Sequence, residues 1–364
     1  MKICLQDPFL AEYNLHEEIL LASMDATEGA GVFAFVTSGG INLLLKDDFF
    51  VEFIKSGTFT LVIGTDEITN ADTIETLCKY VAQYTNLRVK AFLNPLSTAT
   101  FHPKYCWFKH EDGGYAVIGS GNLTQQGLRK NWEAFSVLKM ARPEFSHLEA
   151  QWNRWFVKNL PHLKDISDPS VTQKVAQNGH RFRRKASAVK TGASAKGVDE
   201  DYQAWTFGKD ADVLLAEIPR ASKRWNQVNF DKNSFEQFFG ARAGDNTMRV
   251  LFKGIDDQGI EHDVESRQSV SVKSRNWRFE LDLAKGKSYP QKGRPIGVFV
   301  KVSERNFLYM VLMPDCPYHK GVSELLPLPH DDSRVRRHRV AVDSLRTACP
   351  KLPLWRFFED HFRR

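Results

Sequence analysis

The sequence predicts two folded units of different class: an α/β unit, a mixed sheet flanked by helices, over residues 1–164, and a mainly β unit over 205–364. Three observations predict it. The first 160 residues alternate short apolar runs of strand type with amphipathic helical stretches. From about residue 205 the signals are mostly strand. Between the two, "RFRRKASAVKTGASAKG" (181–197) is small, polar and basic with no acidic residue, so 165–204 reads as a basic flexible linker that is either simply solvated or laid along a phosphate backbone.

In the first unit, strands are expected at 31–37 ("GVFAFVT"), 59–64 ("FTLVIG"), 87–93 ("LRVKAFL"), 102–109, 114–119 and 132–140 ("WEAFSVLKM"). Each is a short β-branched or aromatic run bounded by Gly, Asn, Asp or Pro. Helices are expected over 10–23, 46–56 and 71–85, where Asp or Thr caps precede apolar residues spaced three and four apart. A further helix over 143–160 opens on Pro143 and sets Phe145, Leu148, Trp152, Trp155 and Phe156 on one face. "GAGVFAFVTSGGINLLL" reads as buried strand with a turn, its glycines interrupting the run before it could span a membrane.

In the second unit, strands are expected at 211–218, 248–254, 259–265, 277–283, 296–302 and 306–313, with a hairpin at "DDQG" and a short capped helix in "DKNSFEQFFG". A small barrel or sandwich follows. The tail "LPLWRFFEDHFRR" is an amphipathic helix whose Trp355, Phe358 and Phe362 need a surface to pack on, most simply the chain's own domains.

Charge is divided unevenly between the units. Residues 1–164 carry 15 Lys+Arg against 18 Asp+Glu, and residues 165–364 carry 35 against 26, within a net charge of +6. The basic half suits a polyanion partner. The five cysteines (Cys4, Cys78, Cys106, Cys316, Cys349) form no CxxC pair, so neither a disulfide framework nor a zinc site is indicated. The amino terminus turns acidic before any apolar run could act as a signal peptide, so a cytoplasmic, non-membrane protein is expected.

The chemistry concentrates in "FHPKYCWFKHEDGGYAVIGSGNLTQQGLRKNWEAF" (101–135). On an extended strand His102 and Lys104 point to the same face. An HxK alone is as well explained by a structural histidine, and His162-Leu163-Lys164, at a helix end, is assigned no chemistry. After Lys104, however, a second apolar strand ends in "GSGNLT": Gly119 and Gly121 admit an anion close to the backbone, Ser120 and Asn122 supply neutral donors, and Glu133 begins the next strand. Imidazole, ammonium, amide and carboxylate on adjacent strands suit phosphodiester cleavage without a metal. The imidazole attacks phosphorus, Lys104 and Asn122 hold the nonbridging oxygens, and Glu133 orients the ring by accepting its other N–H.

His102, Lys104, Ser120, Asn122 and Glu133 at this spacing resemble the half-site of the phospholipase D superfamily in its nuclease branch, and more narrowly the N-terminal domain of the BfiI and NgoFVII type of restriction endonucleases. In that superfamily two such motifs form one active site, and this chain contains one. The resemblance therefore implies a homodimer with one site at the two-fold interface, a phosphohistidine intermediate on one His102 and protonation of the leaving oxygen by the other. It implies no metal and no cofactor. Lipid-active members usually read HxKxxxxD, which would put aspartate at 109, and this chain has Lys109. A phospholipase or phosphatidyltransferase, or a DNA-binding protein with an inactive nuclease fold, are the alternatives.

Two basic, aromatic-interleaved segments of the second unit, "IPRASKRWNQVNF" (218–230) and "SRQSVSVKSRNWRF" (266–279), carry candidate DNA-binding residues. These are Arg220, Lys223, Arg224, Trp225, Asn226, Gln227, Arg267, Gln268, Lys273, Arg275, Asn276 and Arg278. Arg suits guanine, Asn and Gln suit adenine, and Lys suits phosphate. The order of strand, arm, helix, hairpin and arm is similar to the plant B-three DNA-binding pseudobarrel, whose two arms clasp the major groove. The two resemblances together imply a sequence-specific type II restriction endonuclease acting on double-stranded DNA. They also imply, as possible partners, a separate helicase-like ATPase subunit and a cognate DNA methyltransferase.

Overall fold

The strand-forming runs of the first 160 residues assemble into one eight-stranded sheet. The computed structural model describes residues 1–10, 12–96, 98–178, 201, 204–220, 224–242, 244–269, 277–328 and 335–360, and the chain divides into units at 1–204 and 205–364. In the first unit the elements run β1 (Lys2–Gln6), α1 (Leu15–Ser23), β2 (Glu28–Phe33), α2 (Ser38–Leu45), α3 (Asp48–Ser56), β3 (Thr58–Gly64), α4 (Ala71–Gln83) and β4 (Leu87–Phe92). They continue with β5 (Lys104–His110), β6 (Gly113–Gly119), β7 (Glu133–Ala141), α5 (Arg142–Asn159), β8 (Leu163–Asp165) and α6 (Pro169–Ala176).

The spatial order is β1-β7-β6-β5-β2-β3-β4-β8. β2, β3 and β4 run parallel and every other pairing is antiparallel, so the sheet is mixed, as expected.

Alternation along β5 assigns its two faces. Trp107 meets Phe145 and Trp152 of α5, whereas Phe108 packs on Phe50 and Phe53 of α3 and stacks with Phe59. The α5 face carries the predicted stripe: Phe145 and Trp152 are buried, and Leu148, Trp155 and Phe156 pack partly buried beside them. Caps set the helix starts: the Asp47 carboxylate accepts from Phe49 N at 3.0 Å before α3, and the Asn70 side chain accepts from Thr73 N at 3.0 Å before α4.

Three readings of the first unit are corrected. The stretch expected as strand and turn over 31–37 and beyond is β2 followed by the helix α2. Gly39 and Gly40 disguised that helix, and a Cβ on Gly40 would overlap the Leu123 carbonyl, so glycine there permits close approach to the segment after β6. β1 was not anticipated. The expected linker begins as folded structure: β8 pairs with β4, Val171 and Val175 of α6 are buried, and Asn178 Nδ2 donates to Thr65 O at 2.8 Å and Thr69 O at 2.7 Å. The basic run 181–197 lies outside the described residues.

In the second unit, β9 (Asp212–Glu217), β10 (Gln227–Phe230), β11 (Arg249–Ile255), β12 (Glu261–Gln268), β13 (Trp277–Glu280), β14 (Ile296–Ser303), β15 (Asn306–Leu312) and β16 (Arg337–Ala341) are accompanied by α7 (His319–Glu324) and α8 (Val342–Ala348). Six strands form a sheet in the order β12-β11-β15-β14-β9-β16, with β11 and β15 parallel, and β10 and β13 form a separate antiparallel pair. The expected small barrel is thus an open sheet with a detached ribbon; no closed barrel forms among the described residues.

A dense aromatic core built on Phe230, Phe239, Phe252, Phe279, Phe299 and Phe307 lies between the sheet and the ribbon. The predicted hairpin turn is present, with Gly259 at φ +81° and its N–H donating to Asp256 O at 3.0 Å. "DKNSFEQFFG" forms a π-helical turn over Ser234–Phe238, entered by Asp231 accepting from Ser234 N at 2.8 Å and left at Gly240, φ +65°. In the tail, Leu354 and Phe357 are buried and the Trp355 Nε1 donates to Cys349 O at 2.7 Å, in a 3₁₀ turn rather than the amphipathic helix expected; Phe362 lies outside the described residues.

Candidate active site

Antiparallel pairing brings the start of β5, the end of β6 and the start of β7 to one end of the sheet. Lys104 pairs across to Phe33 at the end of β2, Gly119 pairs with Phe135, and Ser120 N donates to Ala134 O at 2.9 Å. The "GSGN" run therefore turns away from the sheet beside the entry of β7.

His102 is not on the strand. It precedes β5, separated from it by Pro103, whose carbonyl accepts from Ala34 N at 2.8 Å, and the edge of the His102 ring meets Phe35 with centroids 5.9 Å apart. The two side chains nevertheless meet because Lys104 folds back. Its Nζ lies 3.1 Å from both His102 Nδ1 and Nε2 and donates to the His102 carbonyl at 3.1 Å. Lys104 is only 9% exposed. Burial pushes its ammonium below the ordinary lysine value, and the Glu133 carboxylate opposes that shift.

Glu133 is held by neighbours other than the imidazole. Ser120 Oγ donates to Glu133 Oε2, Asn131 Nδ2 donates to Oε1 at 3.1 Å, and Ala134 N donates back to Ser120 Oγ at 3.0 Å. The expected contact of Glu133 with the His102 ring is therefore replaced: Ser120 and Asn131 occupy the carboxylate, and Lys104 faces the ring. Asn122 sits in the turn with its Oδ1 buried and unpaired among the described residues. In the sequence Asn131 stands out only as beginning the next strand beside Glu133; its role as a donor to that carboxylate emerges from the fold.

Gln6, at the end of β1, ties the site to the sheet edge. It is 2% exposed, pairs across to Glu133, donates to Asn131 O at 3.0 Å and Gly127 O at 3.2 Å, and accepts from Leu15 N at 2.9 Å. One buried amide thus fixes the segment carrying Asn131 and Glu133 against α1.

Beside this end, on the α5 face, lies a cavity of about 790 Å³ lined by Phe101, Tyr105, Ile118, Gln151 and Trp155 among others, and by His102 and Lys104 themselves.

The candidate DNA-binding residues divide. On the β10–β13 ribbon, Val228, Phe230 and Phe279 enter the core, which leaves Gln227, Asn229, Arg278 and Glu280 on the opposite, polar face. Asn226 joins this group by donating to Glu280 at 2.8 Å. Arg224 is exposed, Gln268 ends β12 half-buried, and the Arg220 guanidinium lies 6.0 Å from the Tyr289 ring centroid. Trp225 and Arg267 are structural. Trp225 is buried and donates to Lys287 O at 2.7 Å. Arg267 is spent on Glu265 at 2.7 Å and Asp282 at 2.9 Å, and Glu265, whose carboxyl burial pushes up, also accepts from Tyr309. Lys223, Lys273, Arg275 and Asn276 lie outside the described residues.

No protein-family model matches the chain, and no curated protein does. Among solved structures the chain is similar to NucT from Helicobacter pylori, at 16% identity and TM-score 0.32, over 45% of this chain and 98% of that one. It is similar to Nuc from Salmonella typhimurium, a phospholipase D family member, at 17% identity and TM-score 0.33, over 45% and 98%. A third is phosphatidylserine synthase from Haemophilus influenzae, at 12% identity and TM-score 0.31, over 47% of this chain and 43% of that one. At identities and TM-scores this low, the reading of the site rests on its own residues.

Proposed function

We propose that this chain is a phosphodiester-cleaving nuclease of the phospholipase D superfamily, acting on DNA as a sequence-specific type II restriction endonuclease through a site completed by a second copy. The observation that carries this is the buried Lys104 ammonium set 3.1 Å from both nitrogens of the His102 ring, with the Ser120–Glu133–Asn131 cluster beside it. A cation held against an imidazole is poor use of either group in a folded core. It suits a site that receives an anion.

In this mechanism a His102 ring nitrogen attacks phosphorus, the bond to the leaving oxygen breaks, and that oxygen takes a proton from the second copy's imidazole. Water then attacks the phosphohistidine, giving its proton to the same imidazole as the P–N bond breaks. Lys104 and Asn122 hold the nonbridging oxygens, and Glu133 fixes the electrostatics around Lys104. The polar face of the β10–β13 ribbon and the two segments entering it supply base readout, with Gln227 and Arg278 among its described readers, while on the sequence alone Arg275 and Asn276 are assigned to bases and Lys223 and Lys273 to phosphates.

Cleavage of plasmid DNA in excess EDTA tests the chemistry, and activity appearing only with added magnesium would overturn it. His102→Ala abolishes cutting while leaving sequence-specific retardation of DNA intact. Retained cutting removes His102 as the nucleophile.

A further inference from the structure

The cavity beside the site has a composition that a core edge does not require. Its walls include the rings of Phe101, Tyr105, Trp152 and Trp155, arranged as near-parallel or tilted pairs: Phe92 and Phe101 stack at 4.1 Å, Trp152 and Trp155 lie 5.5 Å apart at 33°, and Tyr105 lies 6.3 Å from Trp152. Tyr105 is half-buried among these rings, and the exposed side chains of Thr100 and Gln151 stand at the rim. None of the three makes a side-chain hydrogen bond among the described residues. Burial keeps the Tyr105 hydroxyl protonated well above neutral pH, so it stands as a donor. His102 and Lys104 line the same space, so whatever enters is contiguous with the anion site.

An occupant must therefore be flat and apolar on its faces, polar on its edge, and joined to a phosphate. We propose that the cavity binds an unstacked nucleobase of the nucleotide flanking the scissile phosphate, with its faces against Trp155 and Tyr105 and its edge bonded by Gln151, Tyr105 and Thr100. This rests on the reading of His102 and Lys104 as a phosphodiester site and names the substrate form that site takes: a nucleotide whose base has left the helical stack. Base stacking on aromatic side chains is favourable enough to offset part of the cost of unstacking. An acyl chain would fit the ring faces but leave the half-buried Tyr105 hydroxyl unpaired and offer nothing to Thr100 and Gln151 at the rim.

Isothermal titration of the full chain with deoxyadenosine 5′-monophosphate, 2-deoxyribose 5-phosphate and dodecyl phosphate tests this. The nucleotide binds about tenfold or more tighter than the sugar phosphate. Ile118→Trp, which fills the cavity from a half-exposed strand position, removes the difference; Gln151→Ala and Tyr105→Phe, which leave the ring walls in place, each reduce it. Equal affinities for nucleotide and sugar phosphate overturn the base site, and tighter binding of dodecyl phosphate than of nucleotide makes it an acyl pocket. Loss of the His102 mechanism shows separately, as cutting retained by His102→Ala, and leaves these binding ratios unaffected.

Discussion

Lys104 stands where two opposing influences meet. Burial disfavours its charge and Glu133 favours it, with burial prevailing. The alkaline limb of the cleavage rate therefore falls below the ordinary lysine value of 10.5, as the ammonium that holds the phosphate oxygens is lost. In single-turnover rates across pH, Lys104→Arg removes that limb, because guanidinium stays charged throughout, while Lys104→Ala costs on the order of 10²–10³ in rate at every pH.

A second residue, His16, governs stability rather than chemistry. It is fully buried on α1, its Nε2 donates to Leu43 O at 2.8 Å, and burial next to Arg129 lowers its pKa from 6.5 to about 4. With the folded value depressed, the unfolded chain binds the proton first. The stability that His16 confers is complete above pH 6.5 and is lost as pH falls toward 4, on the order of 3 kcal/mol in all. Urea midpoints at pH 7 and 4.5 measure that loss, and His16→Gln flattens the difference.

At the scale of elements, the two arms show what a sequence discloses and what it conceals. The search for short β-branched or aromatic runs bounded by turn residues located nearly every central strand, because most of these strands are buried on both faces and so read as continuous apolar runs. It failed for β10 and β16, short strands whose arginines and asparagines look like loop, and for α2, whose paired glycines serve contact rather than a turn. Candidate base-reading residues were legible by type but not by orientation: Trp225 and Arg267 have the right composition, and only the fold shows one in the core and the other closing an ion-pair cluster. Trp225→Ala accordingly costs about 3–5 kcal/mol in denaturant unfolding and weakens binding to all sequences alike. Gln227→Ala leaves stability within about 0.5 kcal/mol and relaxes selection at one base position in a binding-site selection assay.

The candidate catalytic cluster was legible for the same reason that its details were not. His102, Lys104, Ser120 and Glu133 are marked by spacing along the chain, but the partners each side chain takes depend on the pairing of β5, β6 and β7. The back-folded Lys104 and the Asn131 bond emerge only there.

For the whole molecule, the proposed site requires two copies to make one product. Mixing wild-type chain with an excess of His102→Ala chain then suppresses activity more steeply than simple dilution, since each mixed pair lacks either the nucleophile or the acid. A linear fall in plasmid cutting with wild-type fraction would assign both proton transfers to one chain.

The register that sets Gln6 opposite Glu133 has a practical consequence for anyone handling this chain. Removing residues 2–6 would strip the outermost strand from the sheet, leave the backbone amides of β7 open to pairing with a stranger, and release the turn that presents Asn131 and Glu133. On the proposed function, a trimmed preparation would then be inert and prone to clumping while its second unit still occupied DNA, so that it would compete with the untrimmed chain.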